Sequence, residues 1–306
     1  MTAIVLGSLN MDLVTQVPRL PEKGETLMGT SFHTTPGGKG ANQAVALQRL
    51  AVPTTLIGNI GPDDFGTQLL AHLTTFGLST EAIHRTETST GVALITTAAT
   101  GDNQIIGIYG ANHSLTERDL ETRLLPHLKQ AQFLLLQLEI PHEVARRAAQ
   151  LAKTHGLTVL LDPAPIEGPV IADFYPHIDF LLPNEVEASR LVEFPVTDER
   201  SARLAAAKLQ AQGVKTVIIK LGSQGCLTAT PTETFFTPAF SVESIDSVAC
   251  GDAFAAGLTA ALTEGHDLKT AVRWGNAAGA LTATQPGAMT ALPDRTTFNN
   301  FLAQHP

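Results

Sequence analysis

One stretch of the sequence combines a short turn, a single carboxylate and the start of a predicted helix. It covers residues 247–257 and reads Ser-Val-Ala-Cys-Gly-Asp-Ala-Phe-Ala-Ala-Gly. Residues 253–263 are rich in alanine and contain no proline, which predicts a helix. The N–H groups at a helix start have no partner within the helix, so they can bind a phosphate, and Gly251 allows that phosphate to approach closely.

Asp252 has the wrong charge for a residue that only binds phosphate, because its carboxylate would repel the anion. It fits a general base that takes the proton from a hydroxyl group attacking the phosphate. An aspartate that caps a helix N-terminus is an equally good interpretation, since the helix dipole favours a carboxylate there. This stretch therefore leaves a catalytic base and a helix cap as open alternatives.

Further polar side chains come directly after apolar runs that are typical of buried strands: Asn10, Asp12, Glu139, Asn184 and Glu187. In open α/β sheets, ligands bind at the carboxyl ends of the strands. Acids and amides gathered there suit a ligand rich in hydroxyl groups, each of which needs a hydrogen-bond partner. Singly, Glu139 could be a helix-start carboxylate near Pro141, and Asn184 with Glu187 could form a capping box.

Three glycines surround Lys39 in the segment Gly-Gly-Lys-Gly at residues 37–40. The segment is not a Walker A loop, because His33 stands where that motif requires its first glycine. The glycine spacing does not match a dinucleotide-binding fingerprint either. The segment predicts either a close approach of the backbone to a polar ligand or a flexible connection.

Composition excludes several classes of protein. The 306 residues are 43% hydrophobic and 16% charged, with a net charge of −9, which allows a large core and argues against nucleic-acid binding. The two cysteines, Cys226 and Cys250, cannot form a disulfide framework or a four-cysteine zinc site. Without a signal peptide or an apolar run of membrane-spanning length, we expect a cytoplasmic protein with no membrane partner.

Strands and helices alternate from residue 116 onward, which predicts an α/β fold with a doubly wound, mostly parallel sheet flanked by helices. Nearer the N-terminus, residues 3–9 are predicted as a strand and residues 44–50 as a helix. Two β-rich insertions, at about 13–35 and 90–110, interrupt the alternation. We expect them to form a small separate sheet, a lid over the ligand edge, within a single domain of residues 1–306.

Segments along the whole chain resemble, in order, the motifs of the PfkB carbohydrate kinase family. The resembling segments are 7–12, 37–43, 110–115, 137–139, 162–165, 183–187, 220–225 and 246–254. The resemblance implies a three-layer, Rossmann-like fold and ATP-dependent phosphorylation of D-ribose at its 5-hydroxyl, giving ribose 5-phosphate and ADP. It also implies Mg²⁺ with the ATP, a monovalent cation, K⁺, and a homodimer formed through the lid.

The resemblance assigns roles residue by residue. Asp252 would be the catalytic base, and the anion hole would be formed by Ala249, Cys250, Gly251 and Asp252. The sugar would be bound by Asn10, Met11, Asp12, Gly38, Lys39, Gly40, Ala41, Asn42, Glu139 and Asp252. The nucleotide would be bound by Asn184, Lys220, Leu221, Gly222, Ser223, Gln224, Gly225, Gly251, Asp252 and Asn276. Asn184 and Glu187 would act on Mg²⁺ through water, and the monovalent cation would be held by Asp246, Val248, Thr282, Gln285 and Gly287.

Two positions depart from the family pattern. Cys250 stands where relatives carry a smaller residue, and a thiol at a helix N-terminus tends towards thiolate, so we hypothesise an oxidisable anion hole. Ala291 stands where relatives carry a hydroxyl near the cation site.

The alternatives are a family member acting on deoxyribose, fructose or a nucleoside, a non-catalytic sugar sensor, and a nicotinamide-dependent dehydrogenase. With only 5% aromatic residues the chain favours a small polyol over a nucleoside. An intact Asp252 turn argues against the sensor, and the absent dinucleotide fingerprint argues against the dehydrogenase.

Overall fold

A computed structural model describes residues 2–100, 102–166 and 172–305, which contain two β-sheets. The strands in chain order are β1 (Thr2–Leu6), β2 (Asn10–Val17), β3 (Ser31–Gly37), β4 (Thr54–Ile60), β5 (Ile83–Arg85), β6 (Gly91–Ala98), β7 (Asn103–Ile108), β8 (Ala131–Gln137), β9 (Thr158–Asp162), β10 (Phe180–Leu181), β11 (Thr216–Lys220), β12 (Gly225–Ala229) and β13 (Thr234–Pro238). The larger sheet has the order β13-β12-β11-β10-β9-β8-β1-β4-β5. Its neighbours are parallel from β11 to β5, and β12 and β13 are antiparallel.

Helices cover both faces of the larger sheet. The helices are α1 (Lys39–Arg49), α2 (Asp64–Thr75), α3 (Glu117–Asp119), α4 (Leu125–Leu128), α5 (His142–Thr154), α6 (Glu185–Val192), α7 (Glu199–Ala211), α8 (Cys250–Thr263), α9 (Leu268–Ala283) and α10 (Arg295–Gln304). Short 3₁₀ helices span Gly110–Ser114, Ala172–His177 and Gly222–Gln224, and a π-helical turn spans Leu120–Leu124.

Alternate side chains of the central strands enter two separate apolar cores. In β1, Ala3 and Val5 pack with α1, α2, α8, α9 and α10, whereas Ile4 and Leu6 pack with α5, α6 and α7. Successive side chains of a strand point to opposite faces, so a sheet covered on both sides reads as a continuous apolar run. The prediction of a doubly wound, mostly parallel sheet flanked by helices is confirmed.

The smaller sheet has the order β3-β2-β6-β7 and is built from the two predicted β-rich insertions. Its β6–β7 hairpin lies within the second of these insertions, and Gly101 of the turn between the two strands lies outside the described residues. The strand β2 begins at Asn10, so Asn10 and Asp12 lie in the smaller sheet and not merely beyond the end of β1. Residues 7–9 carry the chain from one sheet to the other.

The helix predicted over residues 44–50 begins five residues earlier, at Lys39, because the glycine-rich segment is itself the helix start. Gly38 has φ 90°, which favours glycine, and lies at the N-cap. A Cβ at Gly40 would lie 2.6 Å from the carbonyl carbon of Gly7, so only glycine allows α1 to approach the end of β1 this closely. The flexible-connection interpretation of this segment is therefore wrong.

Within the parts of the chain that the structure describes, no helix combines the length and hydropathy needed to cross a bilayer.

Candidate active site

Polar side chains from several elements converge where the carboxyl ends of the parallel strands meet the start of α1. Asp162 ends β9 and Lys220 ends β11, and the two side chains form an ion pair of 3.1 Å. Asp252 lies in the first turn of α8, with 4% of its surface exposed. The long separations in sequence show that the fold, and not any local motif, assembles this cluster.

The carboxylate of Asp252 is bound by two amides of α1. Asn42 Nδ2 donates to Asp252 Oδ2 at 3.0 Å, and Gln43 Nε2 donates to Asp252 Oδ1 at 3.1 Å. The N-cap of α8 is Ala249, in the left-handed conformation at φ 59°, and no side chain caps this helix. The helix-cap interpretation of Asp252 is therefore wrong, because its carboxylate is turned towards α1.

The surroundings of Asp252 set its acidity. Burial raises the pKa of Asp252 to about 6, Lys39 lowers it, Asp162 raises it, and the amides of Asn42 and Gln43 lower it. A carboxylate whose pKa lies just below neutrality is ionised at pH 7 and still accepts a proton readily, which suits a general base. The environment of Asp252 therefore differs from that of an ordinary surface aspartate and is compatible with proton transfer.

Lys39 is a second cation beside this acidic cluster, in addition to Lys220. Burial lowers its pKa, but the nearby carboxylates of Asp252, Asp162, Glu139 and Glu187 together hold it above the usual value, so the ammonium stays charged. For Asp12 the neutral form is favoured instead: burial, then the charges of Glu139 and Asp252, raise its pKa to about 7. The site therefore offers a permanent cation and a carboxyl group that changes protonation near neutral pH.

Glu139 accepts hydrogen bonds from three directions. Its Oε2 atom receives a short bond from Ser8 Oγ, a bond of 3.4 Å from Asn10 Nδ2 and one of 3.2 Å from the Lys39 N–H. The helix that follows begins at His142 and does not use this carboxylate as a cap. The helix-start interpretation of Glu139 is wrong, and its carboxylate instead joins β2 to the start of α1.

Three further residues expected at the sugar are Met11, Ala41 and Asn42. The side chains of Met11 and Ala41 are packed in the apolar core, so only their backbone could face a ligand. Asn42 Oδ1 is buried and has no hydrogen-bond partner among the described residues. A buried acceptor without a partner is costly, so this atom points to a donor supplied by a ligand, such as a hydroxyl group.

Most residues expected at the nucleotide lie around the end of β11 and the start of β12. Lys220 pairs with Asn184 in an isolated parallel bridge, and the 3₁₀ turn Gly222–Gln224 leads into β12. A Cβ at Gly251 would lie 3.2 Å from Lys220 Nζ, so the ammonium group lies beside the first turn of α8. Asn276 lies further away and donates to the carbonyls of Thr237 and Pro238.

Asn184 and Glu187 form the capping box that the sequence allowed. Asn184 Oδ1 accepts the Glu187 N–H at 2.8 Å, and Glu187 Oε2 accepts the Asn184 N–H at 2.8 Å. Burial and Asp162 raise the pKa of Glu187, although Lys220 and Lys39 lower it. The capping role is therefore confirmed and leaves the carboxylate beside the acidic cluster.

The hypothesis of a readily ionised thiol at Cys250 is wrong. Burial, followed by the charges of Asp246 and Asp252, raises the pKa of Cys250 to about 11. The helix dipole does not overcome two nearby carboxylates in a partly desolvated position. Cys250 is therefore a neutral thiol at neutral pH.

Asp246 ties the turn before α8 to the segment after α9. Its Oδ1 atom accepts the Val248 N–H at 3.0 Å, and its Oδ2 atom accepts the Gly287 N–H at 2.9 Å. Of the other residues expected at the cation, Thr282 is buried and donates to Ala278, whereas Gln285 is exposed at its side chain. The structure thus brings Asp246, Val248 and Gly287 together through the carboxylate.

Several residues of the site were not assigned a role from the sequence: Ser8, Gln43, Asn112, Gln137 and Asp162. Asn112 donates to Asn10 Oδ1 at 2.7 Å and contacts the backbone of Leu9. All of them lie in or beside the segments that resemble family motifs, which was the available signal. Their partners are distant in sequence, so no local pattern could pair them.

Comparison with known proteins agrees with this geometry. The model of the pfkB family carbohydrate kinases matches residues 2–295. A ribokinase of Haemophilus influenzae is 38% identical over 98% of each chain, and a deoxyribokinase of Salmonella typhi is 33% identical over 99% of each chain. The solved structure of Arabidopsis thaliana ribokinase, complexed with ribose and ATP, superposes with a TM-score of 0.90 at 32% identity over 98% of each chain. The chain therefore belongs to the pfkB family of carbohydrate kinases.

Proposed function

We propose that this protein is an ATP-dependent kinase that phosphorylates D-ribose at its 5-hydroxyl, giving ribose 5-phosphate and ADP. The observation that carries the proposal is the buried Asp252 carboxylate, held by two amides of α1 at the N-terminal turn of α8. This arrangement supports a base at residue 252 beside the N–H groups at the start of α8, which would bind the transferred phosphate. The relatives named ribokinase support ribose as the sugar.

In this mechanism Asp252 takes the proton of the sugar hydroxyl while the sugar oxygen attacks the γ-phosphorus of ATP. The bond from that phosphorus to the bridging oxygen breaks, and ADP leaves with the electron pair. The N–H groups of residues 249–252 stabilise the negative charge on the transferred phosphoryl group, together with the nearby Lys220 ammonium. Phosphoryl transfer needs little more from a protein than alignment, charge neutralisation and a base.

The sugar would lie between β2, the start of α1 and Glu139. Asn10, Asp12, Lys39, Asn42 and Glu139 offer donors and acceptors from three segments, which suits a small polyol. Gly38 and Gly40 would let the sugar approach the backbone. Asn42 Oδ1, which lacks a protein partner among the described residues, would accept one sugar hydroxyl.

The nucleotide would lie along residues 220–225, with Asn184 and Asn276 at its borders. Mg²⁺ bound with ATP would neutralise phosphate charge, and Asn184 and Glu187 would act on it through water. A monovalent cation, K⁺, would bind near Asp246, Val248, Thr282, Gln285 and Gly287, behind the turn that forms the anion hole. It would order this turn without touching substrate.

Ribose and 2-deoxyribose are the sugars to separate, because a deoxyribokinase is also among the relatives. In a coupled ADP-release assay, we expect kcat/KM for D-ribose to exceed that for 2-deoxyribose by about tenfold or more, since a missing hydroxyl leaves a buried polar group of the site unpaired. Fructose and inosine serve as further substrates, and omission of K⁺ from the same assay tests the cation site. Equal or higher kcat/KM for 2-deoxyribose would overturn the ribose assignment.

We further propose that the smaller sheet acts as a lid over the sugar and as a dimer contact in a cytoplasmic, single-domain protein. Apolar side chains on this sheet are unusually exposed, with Phe32 at 63%, Ile105 at 59% and Ile106 at 61%. Exposed apolar patches on an edge strand such as β7 favour pairing with a second chain. Sedimentation velocity tests this proposal, which a monomer at micromolar concentration would contradict.

A further inference from the structure

Gln43 is a buried amide in α1 that contacts both carboxylates at the centre of the site. It is 1% exposed. Its Nε2 atom lies 3.1 Å from Asp252 Oδ1 and 3.3 Å from Asp162 Oδ2, so the two hydrogens of one amide can serve two carboxylates. A neutral donor placed between two buried anions reduces the penalty of holding them close together.

The two carboxylates set the direction in which this amide points, and Gln137, at the end of β8, donates to its oxygen. Its Nε2 atom donates to Gln43 Oε1 at 2.6 Å, and Gln137 is fully buried. If the Gln43 amide turned over, its oxygen would face the carboxylates of Asp252 and Asp162, and its NH₂ group would face another donor. Only one orientation of Gln43 is therefore compatible with its neighbours.

Asp162, the second carboxylate in contact with Gln43, continues the chain of hydrogen bonds to Lys220, one of the residues proposed to bind the nucleotide. Asp162 Oδ1 accepts from Lys220 Nζ at 3.1 Å, while Asp162 Oδ2 faces Gln43. The side chain of Gln43 is thus the link between Asp252, which faces the sugar, and the Lys220–Asp162 ion pair. Four separate elements of the fold meet at this one amide.

We propose that Gln43 and Gln137, named here the glutamine pair, are positioning residues for the catalytic base. The pair holds Oδ1 of Asp252 and leaves the Oδ2 side, next to Asn42, for the sugar hydroxyl. This proposal rests on the proposed role of Asp252 as the base. Neither glutamine needs to touch the sugar or ATP.

The glutamine pair also acts on the proton affinity of the base. The charged groups around Asp252 among the described residues include Lys39 from α1, Asp162 from β9, Asp12 from β2 and Lys220 from β11. Burial raises the pKa of Asp252, and the Gln43 donor is one of the groups that lower it. Loss of this donor therefore raises the pKa of the base, so the activity that requires the ionised carboxylate appears only at higher pH.

The test compares Gln43→Met, Gln137→Met and the double variant in the pH dependence of kcat with D-ribose. For Gln43→Met we expect kcat to fall by about tenfold or more. The acid limb of the pH profile, where kcat decreases with falling pH, should move up by about one pH unit, because the base loses a hydrogen bond to its charged form. Gln137→Met should shift the limb in the same direction by less. The double variant should resemble Gln43→Met, because both substitutions interrupt the same chain of hydrogen bonds.

Gln48→Met is the matched control, since Gln48 lies on the same helix but is only half-buried and donates to the Gly77 carbonyl, away from the site. It should keep both the kcat and the acid limb of the unsubstituted protein. Unshifted acid limbs in Gln43→Met and Gln137→Met, or additive losses in the double variant, would overturn the proposal. If Gln43→Met does not fold, the acid limb of Gln137→Met decides alone.

A wrong positioning role for the glutamine pair and a wrong proposed function would give different experimental results. If Asp252→Asn is inactive while the glutamine variants keep a normal pH profile, Asp252 remains the base and only the positioning role is wrong. If Asp252→Asn keeps a normal kcat, the proposed function of the site is wrong as a whole.

Discussion

Replacing Asp252 by asparagine is expected to lower kcat for ribose phosphorylation by about 10²–10⁴-fold, the usual contribution of a general base. Asparagine has nearly the same shape but cannot accept the sugar's proton. Its carbonyl oxygen can still accept one of the two bonds that Asn42 and Gln43 now donate. The substitution therefore removes the proton acceptor and keeps most of the surrounding structure.

Binding separates this prediction from simple loss of the site. We expect calorimetric titration of Asp252→Asn to give Kd values for ribose and ATP within about tenfold of the unsubstituted protein, because most contacts of both ligands come from other residues. Asp267→Asn is a suitable control: Asp267 is exposed and caps α9, and asparagine caps a helix equally well. A variant at 252 that kept near-normal kcat would contradict the assignment of the base.

The acidity of Asp252 predicts how activity depends on pH. Burial raises its pKa to about 6, and catalysis needs the ionised form, so kcat should be constant above this value and fall as the pH drops through it. Folding responds in the opposite sense. A carboxyl group whose pKa is raised in the folded protein contributes its stabilisation at low pH, and this contribution is lost as the pH rises through about 6. Burial thus favours the neutral form of Asp252, whereas the proposed catalysis requires its ionised form.

Local sequence patterns were sufficient for most of the fold. The apolar runs at β1 and β8 and the alternation of strands and helices predicted the two-sided sheet, because burial on both faces dictates those patterns. The start of α1 was misplaced, since glycine usually ends helices and only its contact with residue 7 explains it here. Close backbone contacts between distant segments leave no periodic signal.

The candidate site was predictable residue by residue only where family motifs could be recognised. The residues themselves left Asp252 as either a base or a cap. The decision between them depends on hydrogen bonds to Asn42 and Gln43, which lie about 210 residues away in the chain. The acidity of Cys250 was misjudged for a similar reason, because Asp246 and burial oppose the helix dipole there. Electrostatic balance in a buried cluster depends on all its members at once, and no single segment contains them.

Replacing Glu139 by glutamine is expected to raise the KM for ribose by about 10–100-fold, since a hydrogen bond to a charged group contributes about 1.5–3 kcal/mol. Among the described residues, every hydrogen-bond partner of Glu139 Oε2 is a donor: Ser8 Oγ, Asn10 Nδ2 and the Lys39 N–H. A glutamine amide at this position must direct its own NH₂ group towards a donor or towards the sugar. Asn10 and Lys39 would then lose the acceptor that orients them for the ligand.

The effect should fall on sugar binding and leave proton transfer largely intact, because Glu139 makes no hydrogen bond to Asp252 among the described residues. Steady-state kinetics should give a raised KM for ribose, a KM for ATP close to the original value and a kcat reduced only a few-fold. Glu143→Gln, on the exposed face of α5, is the matched control. A lower kcat with an unchanged KM for ribose would show that Glu139 acts in catalysis and not in sugar binding.

The same variant has a second readout through Asp12. Burial, then the charge of Glu139, raises the pKa of Asp12 to about 7, so neutralising residue 139 should lower that pKa. If ribose binding depends on the protonation of Asp12, the inflection in KM for ribose near neutral pH should move to lower pH in Glu139→Gln. An inflection that stays in place would mean that the charge of residue 139 does not act on Asp12 across the proposed sugar site.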